Sequence, residues 1–440
     1  MNREMFDLAF QTLEMAKTAG ADQCRVAINR DRSVEISYRD HQVETIKEAG
    51  TRGLFLEVFV NNRYSSQYTS DLRPAELKGF VVQAIATTRL LEEDPFRTLP
   101  DPRYYEGRAP VDLKRSDPAF SSLSTEQMHE IARDVGEAAQ AKAGPRMISV
   151  TSSCAKSWSE NVRLSSNGFE GGEENTCFSS GASISLQDEG DRRPCGDHFA
   201  EVSTRAELPP AEAIGAEAAQ RSLDLLGAKK VKTETLPVIV ENRSVPRLLG
   251  GLVAAMSGAS LQQKQSFLMG KKGQAIASER FTLVDDPFIP GGFGSRLFDG
   301  DGFPARRRMM VDAGVLRDYY ISWYYSRKLG CEPTSGGASN LVIAPGSRSV
   351  AEIMKSLGRG VLVREFIGGN SNSTTGDMSV GIVGTLFANG VPTQPIAEMN
   401  IAANHLQLWS RVAEVANDPW LYSSRRTPSV VFRDVVVSGI

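Results

Sequence analysis

The order of predicted segments in the first half of the chain constrains its fold more than any other feature. Apolar residues at three- and four-residue spacing predict a helix over 5–19, which Gly20 ends. Alternating and β-branched runs then predict several strands, and Pro74 opens a second helix. The same order of helix, strands and helix then returns. The predicted strands of this half are 24–29, 33–38, 42–47, 53–60, 63–68, 148–153, 157–165, 168–186 and 198–203.

This recurrence predicts a duplicated α+β unit whose sheet packs on its helices. We place the two repeats at 1–95 and 120–228, joined by a polar, proline-bearing linker at 99–118. Both lie in an N-terminal α+β domain of residues 1–230. A basic break separates this domain from a C-terminal domain of residues 233–440.

The C-terminal domain is richer in glycine and in short β-type runs, and it contains few helical patterns. Many strands with few helices favour a strand-rich, barrel-like or multi-sheet domain. The predicted strands are 236–240, 281–284, 308–312, 341–343, 360–366, 378–386, 396–400 and 429–437. The predicted helices are 245–258, 349–357 and 405–416.

The overall composition excludes several classes of protein. A formal net charge of −3 and a pI near 6.0 give no general attraction to nucleic acid or to anionic lipid. The longest apolar run, 248–256, is far shorter than the ~20 residues that span a bilayer. The first residues are acidic where a signal peptide is basic. We therefore expect a cytoplasmic protein that binds neither nucleic acid nor a membrane.

The cysteines and histidines are dispersed and show no spacing typical of metal ligands. The five cysteines are odd in number and never form Cys-x-x-Cys, which indicates reduced thiols. The four histidines include no pair at ligand spacing, and we expect surface or locally hydrogen-bonded side chains. The cysteines are Cys24, Cys154, Cys177, Cys195 and Cys331, and the histidines are His41, His129, His198 and His405.

The predicted helix at 245–258 contains two adjacent glycines. Gly250 and Gly251 each cost about 1 kcal/mol relative to alanine in a helix interior, which indicates close approach of another backbone. The rest of the helix carries an ordinary buried stripe of leucines and a methionine. Hydrolysis by metal-bound water needs His, Asp, Glu or Cys ligands and a general base. This helix supplies none of them.

The same helix, followed by the segments 266–273 and 281–287, resembles the C-terminal domain of the TldD/PmbA family of metallopeptidase-like proteins, once called modulators of DNA gyrase. In the catalytic TldD branch this helix carries His-Glu-x-x-x-His, whose imidazoles hold a metal. The matching positions here are Gly250, Gly251 and Ala255, which the resemblance identifies as vestigial metal-helix positions.

A second part of the catalytic site is also absent. In the catalytic branch a Cys-Gly-Lys-x-Gly-Gln type segment follows the last helix, whereas the matching stretch here, 417–429, has no cysteine. Other family features at 299–304, 334–341 and 376–379 are retained. The chain thus resembles the PmbA branch, also called TldE, and the resemblance extends over most of its length.

The resemblance implies a non-catalytic subunit of a TldD/TldE-type metallopeptidase complex that processes or degrades unfolded peptides. It implies no catalytic residue, metal or cofactor in this chain. The metal, with zinc as the first candidate, would belong to a TldD-type partner subunit. The chain would then be a peptidase-family member without its own metal site, and a homodimer is open to it in isolation.

The polar loop at 368–377 is the other candidate for function. Its glycines and hydroxyl groups could cradle an anion or place a serine nucleophile, but no phosphate-loop or nucleophile-elbow motif is present. A glycine-rich turn between paired strands is the simpler interpretation. Two alternative functions stay open: a stand-alone hydrolase using the Ser/Thr-rich loop 371–375, or a homodimeric peptide-binding protein. The candidate peptide or chamber residues are Gly369, Asn370, Ser371, Ser373, Thr374 and Asp377.

Two further patterns admit a binding interpretation and a structural one. The Asp-Gly-Asp-Gly run at 299–302 suggests a calcium loop but lacks the later ligands of an EF-hand. The arginines at 306–308 and the aromatic-rich segment 319–328 mix cations with rings, as single-strand binders do. Because the rings alternate with polar residues, packing or a protein interface is the favoured interpretation.

Overall fold

The computed structural model describes residues 3–440. Its helices are α1 (Arg3–Thr18), α2 (Pro74–Thr88), α3 (Ala119–Ser122), α4 (Thr125–Ala143), α5 (Ala211–Leu223), α6 (Val245–Ala255), α7 (Gly258–Gln262), α8 (Trp323–Leu329), α9 (Val350–Leu357) and α10 (His405–Ser410). Its strands are β1 (Gln23–Arg39), β2 (Gln42–Val60), β3 (Arg63–Thr69), β4 (Met147–Ser165), β5 (Glu170–Leu186), β6 (Cys195–Val202), β7 (Glu234–Val240), β8 (Leu283–Asp286), β9 (Arg308–Asp312), β10 (Val315–Leu316), β11 (Asn340–Ile343), β12 (Arg359–Ser371), β13 (Asp377–Ala388), β14 (Val391–Asn404), β15 (Val412–Val415), β16 (Arg425–Arg426) and β17 (Val430–Val437).

The first six strands form one antiparallel sheet in the order β3-β2-β1-β4-β5-β6. Two groups of helix, three strands and helix contribute to it. We call α1–β1–β2–β3–α2 the first copy and α4–β4–β5–β6–α5 the second copy. The copies meet where β1 pairs with β4, with Arg32 opposite Trp158 near the middle of both strands. The central pair thus relates the copies by an approximate two-fold.

The strands of this sheet are longer than the sequence pattern predicts. The predicted pairs 24–29 and 33–38, 42–47 and 53–60, and 148–153 and 157–165 are each a single strand, β1, β2 and β4. In β1 and β2 the residues between the predicted pairs, 30–32 and 48–52, are mostly polar and are not buried, so the alternation is interrupted although the chain stays extended. In β4 the intervening residues are 154–156, of which Cys154 is buried, and the strand simply continues. The sequence prediction of two short strands in each case was wrong.

One face of the sheet carries two helix pairs, one at each end of the long strands. In β1, Val26 and Ile28 pack with α1 and α2, whereas Ile36 packs with α4. In β4, Val162 packs with α1, and Cys154 packs with α4. These residues share even numbering and therefore one face. The long strands are explained by this arrangement, because each one reaches beneath both helix pairs.

The C-terminal half contains two open sheets, with strand orders β10-β9-β8-β11-β16 and β14-β13-β12-β7-β17-β15. The α+β class is confirmed, but the expected barrel-like closure is not found, since none of the sheets in residues 3–440 closes on itself. Instead, α6 lies in a core shared by both sheets, and α9 covers the opposite face of the larger one. Within the described residues, no helix is long and apolar enough to cross a membrane.

Two predicted helices are shorter than expected. The helix predicted at 245–258 ends at Ala255, and α7 begins after Ser257, whose hydroxyl accepts a hydrogen bond from the Ser260 amide. The helix predicted at 405–416 ends at Ser410. Residues Val412–Val415 instead form β15 along β17. In the second case, pairing with an existing sheet edge prevails over the helical pattern.

Candidate functional site

Helix α6 is held in the centre of the C-terminal core. Pro246 occupies its first turn, where a missing amide hydrogen is tolerated. Leu248, Leu249 and Leu252 are at most 3% exposed and pack between the two sheets. This packing fixes the position of the helix and so determines which residues lie next to its two glycines.

The two glycines of α6 meet different surroundings. A Cβ on Gly251 would lie 2.5 Å from Nε2 and 2.7 Å from Cε1 of His405. A Cβ on Gly250 would meet only the Arg425 guanidinium, at 3.6 Å. The expected close approach of another backbone was therefore wrong, because at Gly251 the approaching group is the imidazole of His405. Ala255, the third position that the sequence aligns with the metal motif, is fully buried.

His405 is the first residue of α10 and is only 2% exposed. Its ring stacks on Phe267, with centroids 5.5 Å apart and planes inclined by 3°. Its Nε2 is 3.1 Å from the Ser371 Oγ, whereas Nδ1 has no hydrogen-bond partner among the described residues. Burial lowers the pKa of His405 to about 4, so the imidazole is neutral near pH 7. The sequence expectation of a surface or locally hydrogen-bonded side chain was wrong for this residue, because it is buried and its partner Ser371 is distant in the sequence.

The candidate loop is the turn that joins β12 to β13. Asn370 pairs with Ser379, and Ser371 pairs with Met378. Gly369 has a φ of +91°, which an L side chain adopts only under strain. The simpler interpretation, a glycine-rich turn between paired strands, is what the structure contains.

The backbone amides of this loop are used inside the loop itself. The Asn372 side-chain oxygen accepts hydrogen bonds from the amides of Thr374 and Thr375, at 2.9 and 3.2 Å. The Asn372 amide donates to the Asp377 carbonyl, and the Gly376 amide donates to the Asn372 carbonyl, both at 2.8 Å. These amides are therefore not available to cradle an anion.

The loop is fastened to the segments around His405. The Phe267 amide donates to the Ser373 carbonyl at 3.0 Å, and the His405 amide donates to the Gly376 carbonyl at 2.7 Å. The Asn404 side chain donates to the Asp377 carboxylate at 3.0 Å, which lowers the pKa of that carboxyl. Helix α6 and the candidate loop thus belong to one assembly, with His405 between them.

The residues of this assembly do not fit a metal ion. The space next to Gly251, where a ligand from α6 would project, is filled by His405. The one imidazole in that space already contacts Ser371 through Nε2. Among residues 3–440, no group of three or more His, Cys, Asp or Glu side chains is placed to hold a metal.

The remaining histidines have contacts outside this assembly. The His129 Nδ1 is 2.9 Å from the Tyr38 hydroxyl, and His198 packs edge-on against Trp420. Burial, together with the nearby Arg243, lowers the pKa of His198 to about 4. His41 occupies the exposed turn between β1 and β2.

The Asp-Gly-Asp-Gly turn joins structural elements. The Asp299 carboxylate accepts hydrogen bonds from the amides of Asp301, Phe303 and Gly336. The Asp301 carboxylate accepts one from the Trp323 amide at 2.9 Å. Burial and the nearby Asp299 raise the pKa of Asp301. These carboxylates fix the turn against α8.

The aromatic segment also packs within the chain. The Tyr324 hydroxyl donates to the Asp94 carboxylate at 2.7 Å, and the Trp323 indole donates to Thr98 at 3.1 Å. The Arg97 guanidinium lies 3.7 Å from the Tyr324 ring centroid. The rings considered for a partner interface thus hold the segment after α2 against α8.

Sequence reasoning missed the residues that connect the candidate loop to α6. They are His405, Phe267, Asn372 and Asn404, and they come from three separate regions of the chain. The one local signal was Asn404 directly before His405, since asparagine is a preferred N-cap and its side chain accepts from the Leu406 amide. The contact between residues 371 and 405 had no local signal.

Comparison with family models gives three matches along the chain. Residues 24–88 match PmbA/TldA metallopeptidase domain 1, residues 118–226 match the central domain, and residues 233–439 match the C-terminal domain. Together they cover most of the sequence in the order expected for one protein.

Individual relatives match over nearly their full lengths. A Bacteroides thetaiotaomicron structure described as a candidate modulator of DNA gyrase is 37% identical, with a TM-score of 0.97 and 100% of both chains covered. The Escherichia coli O157:H7 metalloprotease PmbA is 28% identical over 442 residues, with 99% of this chain and 97% of the relative covered. TldE from Thermococcus kodakarensis has the same fold, with a TM-score of 0.88 at 22% identity, covering 98% of this chain and 100% of that one.

Proposed function

The chain belongs to the PmbA/TldD metallopeptidase family, and we propose that it is the non-catalytic subunit of a TldD/TldE-type peptidase complex. In this complex a TldD-type partner holds the metal and cleaves the peptide. This chain stabilises the partner and completes the chamber that receives unfolded peptides. The complex acts in the cytoplasm.

The packing of His405 against Gly251 carries this proposal. By the resemblance, the positions that match Gly250, Gly251 and Ala255 carry the His-Glu-x-x-x-His motif in the catalytic branch, where its imidazoles hold the metal. Here any side chain at position 251 would overlap the His405 ring, which is itself fixed by Phe267 and Ser371. Helix α6 is therefore built for packing, and hydrolysis requires groups from another subunit.

Reconstitution with a TldD-type chain that carries His-Glu-x-x-x-His tests the proposal. We expect cleavage of an unfolded peptide by the mixture and none by this chain alone, because α6 supplies neither ligand nor base. The metal content of the separated chains should assign the ion to the partner. A partner in which the two histidines of the motif are changed to alanine is the matched control, and its mixture should be inactive.

Two results would contradict this assignment. One is chelator-sensitive peptide cleavage by this chain alone. The other is full activity of the TldD-type chain without this one. A homodimer of the isolated chain is compatible with the proposal, provided that it exchanges into a heteromer on mixing. Sedimentation of the separate and mixed chains measures that exchange.

The contact between Ser371 and His405 favours a second candidate, a stand-alone serine hydrolase. The two side chains are at hydrogen-bond distance, as nucleophile and base are in such enzymes. The His405 Nδ1 has no orienting partner among the described residues, and the loop amides that would stabilise an oxyanion donate within the loop. Labelling with a fluorophosphonate probe tests this candidate. Labelling of the protein that is abolished by Ser371→Ala would establish a serine hydrolase, and absence of labelling would exclude one.

A third candidate is a homodimeric protein that holds peptides without cutting them. Unlike the proposed subunit of a peptidase complex, such a protein needs no TldD-type partner in order to bind peptides. Peptide binding by the isolated chain that is unchanged when the partner is added would favour it. Binding that appears only in the heteromer would favour the chamber role.

A further inference from the structure

Strand β2 has a long unpaired edge. It pairs with β1 along its whole length, but β3 covers only its last residues, beginning at Leu54 opposite Thr69. We call residues 42–53 of β2 the free edge. In the part of the chain that the structure describes, the main-chain groups of the free edge bond to no element besides β1. Such an edge presents a row of donors and acceptors to an added strand.

The second copy has the same edge, but there it is occupied. Strand β6 pairs with β5 only from Phe178 onward, which leaves residues 170–177 beyond it. The chain's own linker runs along this part. The Thr176 amide donates to the Arg115 carbonyl at 2.8 Å, and the Asp117 amide donates to the Thr176 hydroxyl at 2.9 Å. The second copy thus holds a polypeptide segment at this position, through one main-chain hydrogen bond and one to a side-chain hydroxyl.

A cleft adjoins the free edge on the side of α1. Its volume is about 1040 Å³, and it is lined by the first turns of α1, the middle of β1, residues 50–52 of the free edge and the start of α2. Five arginines and three carboxylates line it. The arginines are Arg3, Arg30, Arg32, Arg52 and Arg73, and the carboxylates are Glu4, Asp7 and Asp31.

The arrangement of the arginines is unusual for a sheet. Arg30 lies directly opposite Arg52 across β1 and β2, and like charges in that relation destabilise a strand pair. Glu160 lies opposite Arg30 on the other side, on β4, and offsets only part of this positive charge. Arg30 also lies over the Trp158 ring, at 5.8 Å from its centroid. Gly50 stands opposite Arg32, so no side chain on β2 separates this arginine from the free edge. An anionic ligand in the cleft would relieve the repulsion.

We propose that this cleft binds an extended acidic peptide, which adds to the free edge as a strand and places its carboxylates among Arg30, Arg32 and Arg52. Main-chain pairing supplies affinity for any extended sequence, and the arginines select the acidic ones. A nucleic acid satisfies only the charge, because it has no amide groups to pair with a strand. The peptide site is separate from the assembly around His405 and does not depend on the proposed function.

Binding of labelled octapeptides to the full chain, followed by fluorescence anisotropy, tests the proposal. One peptide alternates Glu with Thr, a second alternates Lys with Thr, and a third is the acidic peptide N-methylated at alternate residues. We expect the acidic peptide to bind at least about tenfold more tightly than the other two. The N-methylated peptide keeps every charge and loses only the donors needed for strand pairing.

Variants locate the site on the protein. R32E/R52E reverses the charge of two exposed arginines of the cleft and should weaken binding of the acidic peptide by about tenfold or more. R280E/R306E makes the same change at exposed arginines of the C-terminal half and should leave the affinity within about twofold, since only long-range charge changes.

The results that overturn the proposal are equal affinities for the acidic and basic peptides, undiminished affinity of the N-methylated peptide, or equal losses in both double variants. Single-stranded DNA that binds as tightly as the acidic peptide and shows the same loss in R32E/R52E would also overturn it. Circular dichroism of each variant verifies that it is folded before binding is measured.

Discussion

The two copies of the N-terminal unit share one strand order but differ in what covers them. The second copy is covered by the linker along β5 and by the loop that places Phe298 against Gly171. The first copy leaves the free edge of β2 and its cleft open. A duplicated fold can therefore keep its topology while one copy becomes structural support and the other keeps an accessible surface. Four predictions test this difference, in order of decreasing effect.

The largest effect is expected from equivalent glycines, each five residues after the proline that precedes or begins the second helix of its copy. In the second copy a Cβ on Gly215 would collide with the Val135 carbonyl of α4, whereas Gly79 in the first copy has open space. We expect Gly215→Ala to lower the free energy of unfolding by about 3 kcal/mol because the helices must separate.

The matched variant is Gly79→Ala, which should raise the free energy of unfolding by up to about 1 kcal/mol, since alanine is the better helix former. Urea denaturation of both variants measures the difference. Similar losses in the two variants would show that the copies are packed alike.

The next effect concerns the linker. The Asp117 carboxylate accepts hydrogen bonds from the Ala119 and Arg205 amides, both at 2.8 Å. We expect Asp117→Ala to cost about 2 kcal/mol of stability and to accelerate amide exchange at Thr176, because the linker loosens from β5. Asp112→Ala, at an exposed linker turn, is the control and should change stability by less than about 0.5 kcal/mol. Unchanged exchange at Thr176 would refute the role of the linker.

A smaller effect depends on pH. The pKa of His198, in β6 of the second copy, is lowered to about 4 from 6.5, so the unfolded chain binds more protons than the folded one between these values. Stability from this residue is present above pH 6.5 and is lost as the pH falls toward 4. We expect His198→Gln to remove about 1 kcal/mol of that pH dependence, which is less than the full pKa shift would give because the side chain is partly exposed and solvent screens its charge. An unchanged slope between pH 6.5 and pH 4 would exclude this contribution.

The smallest effect is expected on the free edge. The Thr51 hydroxyl donates only a long 3.3 Å hydrogen bond to Asp31, and Thr51 is exposed. Thr51→Val should alter the free energy of unfolding by less than about 0.5 kcal/mol. Thr176→Val removes a hydroxyl that donates to the Ser203 carbonyl at 2.8 Å, and it should cost about 1 kcal/mol. Equal losses would mean that the free edge is not open in solution.

Much of the fold follows from local patterns, and the site does not. Apolar spacing and caps located α1, α2, α4 and α5, since those signals lie within one helix. The exposed middle of β2 concealed its continuity, because alternation reports burial and not extension. The meeting of Gly251, Ser371 and His405 joins three distant segments, and nothing near Gly251 in the sequence indicates an imidazole. The two glycines indicated a close contact, but only the folded structure identifies His405 as the group that makes it.

The shared strands have a consequence for how this protein loses its structure. Val162 from the second copy completes the apolar core of the first, and Ile36 from the first completes a core of the second. Neither copy holds a full set of core residues, so a fragment that ends after α2 would expose what β4 normally covers. Unfolding of one copy therefore removes core residues from the other. We therefore expect the two copies to unfold in one cooperative transition, although they arise from a repeated pattern and look separable along the chain.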